Sequence, residues 1–162
     1  MKNSRHRRFY SNRKNIKSIP KLQIKSGMIV EFNYRDKNQN PSRPLVLVMD
    51  TNEFTTTDKK SFSGLNLNYL PHTEIEKLFE KIATKVGWEL DKETNFPKLD
   101  LYKEENLGVR PTIIFKPFIK TKLLNRFDCW RTFKYKKVQT AKQIKYEFKS
   151  ESLLKIYENL KK

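Results

Sequence analysis

A single cysteine, Cys129, stands among 162 residues, so no disulfide can close within the chain and no cysteine metal cage can form. Glycine is nearly as sparse. Its four copies include no phosphate-cradling loop, which removes most nucleotide-binding folds. The two histidines, His6 and His72, have neither a second His nor a Cys at metal-ligand spacing. No stretch is long and apolar enough to span a membrane, and the first residues lack the apolar segment of a signal peptide. These absences lead away from metal, cofactor and membrane chemistry: no catalytic set, no metal, no cofactor and no membrane partner are expected. They suit a protein made and kept in a reducing cytoplasm, or packaged inside something assembled there.

Acid is missing just where base is densest. The first 25 residues hold nine Lys or Arg and no Asp or Glu, among them Arg5, Arg7, Arg8, Arg13 and Lys14. Nothing apolar repeats there at a helical or strand period before Leu22, so residues 1–21 are expected to form a disordered basic arm. Such an arm is an electrostatic tether for polyanions, of which nucleic-acid phosphate is the commonest. The formal net charge is +17, unevenly spread. Asp50 to Asn106 carries twelve acids and eight bases, whereas Lys116 to Lys149 carries eleven bases against Asp128 and Glu147. Positive ends around a mildly negative middle predict one basic face.

Periodicity predicts an α+β domain over 22–149, with a helical insertion at about 72–127 and a C-terminal helix at 150–162. Met28, Val30 and Phe32 after Gly27 alternate as a strand does, and Arg35 to Ser42 is a polar loop. Leu45 to Met49 is a continuous apolar run, the pattern of a strand buried on both faces. Phe62 to Leu70 alternates again, with Gly64 where a bulge or a close backbone approach is expected. Ile75, Leu78, Phe79, Ile82 and Val86 then share a helical face that Gly87 ends, and Thr73 with Glu76 forms a capping box. The acidic segment Trp88 to Asn106 suggests a short helix near Leu101, Val109 to Phe115 reads as extended, and Phe118 to Phe127 as a short helix. Cys129 to Val138 and Gln143 to Lys149 read as strands, with Ile144, Tyr146 and Phe148 on one face. Short strands with polar turns predict a bent antiparallel sheet, a closed or half-closed barrel, because closure removes exposed edges.

Few residues invite chemistry. His72 beside the expected Thr73 cap reads as solvent-facing, and Cys129 between Asp128 and Trp130 reads as packing. The acids of Trp88 to Glu105 alternate with lysines as on a solvated face. What remains is the run from Phe127 to Lys137, where rings and cations interleave. On a continuous strand Arg131, Phe133, Tyr135 and Lys137 share one face, and Trp130, Thr132, Lys134 and Lys136 the other. Rings and cations on one face can stack bases and pair phosphates, or the rings can fill the core and leave the lysines in water.

Two resemblances add to this. The Gly27-led strand, the polar loop and the Arg43–Pro44 pair before an apolar strand resemble the SH3-like barrel of the MazF/PemK endoribonuclease toxins, over roughly Gly27 to Thr51. That likeness implies a phosphate-stabilising role for Arg43, with Thr51 as a loose match to the assisting hydroxyl, and metal-independent RNA cleavage as the alternative function. More of the chain resembles a group of small tailed-bacteriophage proteins. The shared segments are Gly27 to Tyr34, Pro44 to Val48, Gly64 to Pro71 (a GxNLxYLP pattern) and Trp130 to Lys134 (xRTxK). This likeness implies an SH3-like barrel core and a phage-encoded protein, in the host cytoplasm and extending to a virion or assembly role, with other phage structural proteins as partners. It transfers no catalytic residue. Together these readings predict a non-enzymatic nucleic-acid binder, DNA or RNA. Arg5, Arg7, Arg8, Arg13 and Lys14 of the arm, Arg43, and Arg131, Lys134, Lys136 and Lys137 of the basic face would contact the phosphates.

Overall fold

The strands, in chain order, are β1 (Ile16–Ser18), β2 (Ile29–Arg35), β3 (Pro41–Ser42), β4 (Leu45–Asp50), β5 (Ser61–Asn66), β6 (Trp88–Leu90), β7 (Pro97–Leu99), β8 (Trp130–Lys134) and β9 (Val138–Ile144). Two helices accompany them, α1 (His72–Val86) and α2 (Glu151–Asn159). The structure is a computed structural model that describes residues 16–51, 60–100 and 129–160. Arg5, Arg7, Arg8, Arg13 and Lys14 lie outside the described residues, as do the elements expected near Leu101, over Val109 to Phe115 and over Phe118 to Phe127.

The α+β expectation holds: seven strands form an antiparallel sheet in the order β1-β9-β2-β4-β5-β8, with β3 on β2, and β6 and β7 form a separate hairpin. The sheet is an open path and not a closed ring. It is nonetheless strongly curled. Strands about 4.8 Å apart would leave β2 and β8, three steps from each other, roughly 14 Å apart in a flat sheet. Instead the rings of Phe32 and Phe133 meet at 5.1 Å, those of Tyr34 and Phe133 at 5.2 Å, and the Lys134 N–H donates to the Tyr34 hydroxyl at 3.2 Å.

The curl creates two cores, and β4 divides them. Its six residues are all buried, as the unbroken apolar run predicts. Val46 and Val48 point into the curl with Val30, Phe32, Phe62 and Phe133, while Leu45, Leu47 and Met49 face the helices. On that outer side Ile75, Leu78, Phe79, Ile82 and Val86 of α1 meet Leu153 and Tyr157 of α2. Gly64 is required where β5 crosses β4, since a Cβ there would lie 2.2 Å from the Leu47 carbonyl oxygen, and the register shifts beside it between Val48 and Asp50.

Five local expectations need correction. The strand expected over Gln143 to Lys149 does not form as read, since β9 ends at Ile144 and residues 145–149 follow without strand pairing. Residues 16–19, expected to belong to a disordered arm, are structured: Ile16, Lys17 and Ser18 pair with Ile144, Gln143 and Lys142 of β9, and Ile19 is buried. The β9 ladder, the Ile19 N–H donating to the Ala141 carbonyl and the Lys17 ammonium donating to the Thr94 carbonyl hold this segment on the sheet edge, with Ile19 buried beneath it. The capping box does not form, because α1 begins at His72 with Pro71 at its N-cap, which puts Thr73 inside the first turn. The Glu76 carboxylate instead accepts the N–H groups of Lys149 and Ser150, and Glu80 accepts the Ser150 hydroxyl at 2.5 Å, so α1 receives the start of α2. Within Trp88 to Asp100 the chain forms the β6–β7 hairpin, where Glu89 and Lys98 face each other and pair. Finally β8 stops at Lys134. Tyr135 turns inward against Phe62, at 5.0 Å between rings, and Tyr135–Lys137 become a 3-10 turn.

Candidate functional site

The 3-10 turn and the β2–β3 hairpin face each other across a concave basin of about 420 Å³. One wall is Arg35 with the loop that follows it. Asp36 holds that loop by accepting the N–H groups of Asn38 at 2.8 Å and Asn40 at 2.9 Å. The Asn40 N–H foremost keeps its carboxyl below the usual carboxylate range, with Asn38 and the nearby Lys137 acting the same way. Arg35 donates to the Gln39 carbonyl at 3.0 Å, which fixes the guanidinium at the rim. The other wall is Lys136, Lys137 and Gln139. Asn33, Tyr34, Pro41 and Ser42 complete the lining, and among the described residues no Asp or Glu takes part in it. Three cations therefore converge on a hollow whose neighbouring carboxylate, Asp36, is already occupied by backbone donors.

The sequence-predicted residues divide around this basin. Lys136 and Lys137 line it. Lys134 precedes them, exposed, with its backbone tied to Tyr34. Arg43 sits beside the basin, its Nε donating to the Asn33 Oδ1 at 3.3 Å and lying 3.9 Å from the buried Glu31 carboxylate. Arg131 is elsewhere, at the Gly64 end of β8, with its guanidinium 5.9 Å from the centre of the Tyr69 ring. The expected ring-and-cation face does not exist as a strand face. Phe133 is buried at 6% exposure and Tyr135 packs into the curl, so these rings build the core and the cations, Arg131 included, face water. Arg35, Asn33, Gln39 and Gln139 were missed by sequence reasoning. Arg35 carries a signal, as the one arginine at the mouth of a polar loop, but Asn33 and Gln139 meet only through long-range pairing.

No family model, no curated protein and no solved structure matches this chain.

The remaining chemical candidates resolve into structural roles. Thr51 is buried at the far end of β4, its hydroxyl 3.4 Å from that of Ser26. At about 3.3 Å per strand residue it lies on the order of 20 Å from Arg43, so the two cannot act on one phosphate. Cys129 is buried in the outer core. His72 is not solvent-facing as its loop position suggests: its Nδ1 is 3.0 Å from the Tyr146 hydroxyl, its Nε2 is 3.4 Å from Glu76, and the rings of His72 and Tyr146 stack. Among the described residues no three His, Cys, Asp or Glu side chains gather as a metal site would require. No described helix is long and apolar enough to cross a membrane.

Proposed function

We propose that this chain is a non-enzymatic nucleic-acid-binding protein that holds the phosphate backbone at the basin between the β2–β3 hairpin and the 3-10 turn. The observation that carries this reading is the convergence of Arg35, Lys136 and Lys137 on a concave surface with no carboxylate in its lining among the described residues. Side chains that meet this way repel one another unless an anion lies between them, and a polyphosphate supplies several at regular spacing. Lys134 and Arg43 extend the track on either side, and Arg5, Arg7, Arg8, Arg13 and Lys14 add a second group of cations. Arg131, stacked over Tyr69, stands apart from the track.

The SH3-like reading finds support in the succession β9-β2-β4-β5-β8 and in the short helical turn that joins the last two strands of the chain. The phage setting rests on the resemblance alone. With it come a place in the host cytoplasm, a virion or assembly role and partners among phage structural proteins. The ribonuclease alternative has less support, since Thr51 is buried far from Arg43.

The test is binding to single- and double-stranded DNA and RNA as a function of salt. A log–log plot of affinity against salt is expected to slope downward by roughly 0.7 for each phosphate neutralised on a single strand. Salt-insensitive association, or none with any of the four polymers, would refute the proposal.

A further inference from the structure

Besides its cations the basin is lined by three carboxamides, Asn33, Gln39 and Gln139, and the backbone is distorted beside two of them, Asn33 and Gln139, which are paired across the sheet. Asn33 of β2 and Gln139 of β9 are direct partners across the ladder, so their Cβ atoms lie about 5 Å apart on one face. The next pairing is Glu31 with Lys142, which sets one residue of β2, Phe32, against two of β9, Thr140 and Ala141. This is a β-bulge, and its extra residue, Thr140, has φ 55°. A β-branched side chain in the left-handed region is a strained arrangement that persists only where the surroundings impose it. Across the basin Gln39, at φ 63°, is in the same region. Two of the three non-glycine residues with positive φ among the described residues thus lie in or beside this hollow. Because strand side chains alternate, removing the extra residue would turn Gln139 to the opposite face of the sheet.

Phosphate binding needs no carboxamides. A carboxamide offers a donor and an acceptor in one plane, the complement of the Watson–Crick edge of a base. Asn33 already accepts from Arg43 through Oδ1 and so contributes its amino donors, while the exposed Gln139 contributes both. In a duplex those base edges are consumed by pairing. The basin's volume of about 420 Å³ is within the range of small-ligand sites.

We infer that the basin is a subsite for one unpaired nucleotide, with its phosphate on Arg35, Lys136 and Lys137 and its base edge on Asn33 and Gln139, so that the chain selects single strands over duplexes. This rests on the nucleic-acid reading above. The experiment is fluorescence anisotropy of the full chain at fixed moderate salt, using a labelled mixed-sequence oligonucleotide, as DNA and as RNA, single-stranded and as its blunt duplex. The wild type is expected to favour the single strand at least tenfold. Gln139→Ala, which alters an exposed side chain, is expected to weaken single-strand binding severalfold, to leave duplex binding unchanged and to leave the salt slope unchanged; Asn33→Ala serves as a second variant, with thermal melting to confirm that it folds. Equal affinity for single strand and duplex in the wild type overturns the inference, as does a preference that survives both substitutions. If binding itself is absent, or indifferent to salt, the parent proposal fails instead.

Discussion

Replacing Lys136 and Lys137 together by glutamine isolates the electrostatic part of the site. Both side chains line the basin and neither fills a core, so the fold should be unaffected. Each single-strand phosphate that is no longer neutralised takes about 0.7 from the salt slope, and two take about 1.4. At 0.1 M salt this is a loss of about 25-fold in affinity, or about 2 kcal/mol, shrinking toward nothing near 1 M. The two lysines should not contribute equally. Lys136 is exposed, whereas Lys137 is partly covered and shares its charge with Asp36, so Lys136→Gln alone should account for the larger part. Anisotropy titrations over a series of salt concentrations give the slope directly, and Lys92→Gln, on an exposed turn of the β6–β7 hairpin, is the matched control. An affinity loss with an unchanged slope, or an equal slope change in the Lys92 variant, would show that the basin does not hold phosphate.

Further outcomes follow from the packing. Gly27→Ala should cost about 3 kcal/mol in urea denaturation, because φ is +92° there and a Cβ would lie 2.2 Å from the Leu99 carbonyl oxygen. Phe133→Ala removes the ring that joins β8 to β2 inside the curl and should cost about 3–5 kcal/mol by the same assay. Tyr157→Phe should be neutral or stabilising by up to about 1 kcal/mol, since burial pushes that hydroxyl's pKa well above 10 and it has no hydrogen-bond partner among the described residues; a clear loss of melting temperature would show a hidden partner. Asp91 is buried, which by itself would raise its pKa, but the N–H groups of Thr94 and Glu93 and the Lys25 ammonium at 3.3 Å hold it below the ordinary value. A depressed folded-state pKa stabilises above the unfolded value of about 3.9 and ceases to do so as pH falls through the folded value. Asp91→Asn should therefore lower stability by about 2 kcal/mol at pH 7 and by much less near pH 3.

Local pattern and long-range pairing were not equally legible. The α1 face, from Ile75 to Val86, and the stop at Gly87 depend only on neighbours in sequence, and both appear as read. So do the doubly buried β4, the close approach at Gly64, and the shared burial of Ile144, Tyr146 and Phe148. The hairpin of Trp88 to Leu99 was hidden because its strands, Trp88-Glu89-Leu90 and Pro97-Lys98-Leu99, are only three residues each, too short to display an alternation, and the cross-strand pair of Glu89 and Lys98 shows only in three dimensions. Glu76 misled for a related reason: its spacing from Thr73 is that of a cap, but its partner lies beyond β9 at Ser150. At the candidate site, the cations of Lys136 and Lys137 could be read from composition. The pairing of Asn33 with Gln139 could not, because it depends on a single inserted residue at Thr140.

The adjacency of β1 and β9 has a consequence for how the molecule is made. The chain must be made and released from the ribosome through β9 before Ile16–Ser18 can find Lys142–Ile144. Closing so large a loop is slow, so β1 should dock late, after β2, β4 and β5 have already assembled through their short connections. Until then β1, with Lys17 and the nearby Lys21 and Lys25, has no strand to pair with, and ribosomal or messenger RNA is the first polyanion within reach. Premature capture of that kind would show as polysome-associated protein when synthesis is halted just short of β9, and would disappear once that strand is included.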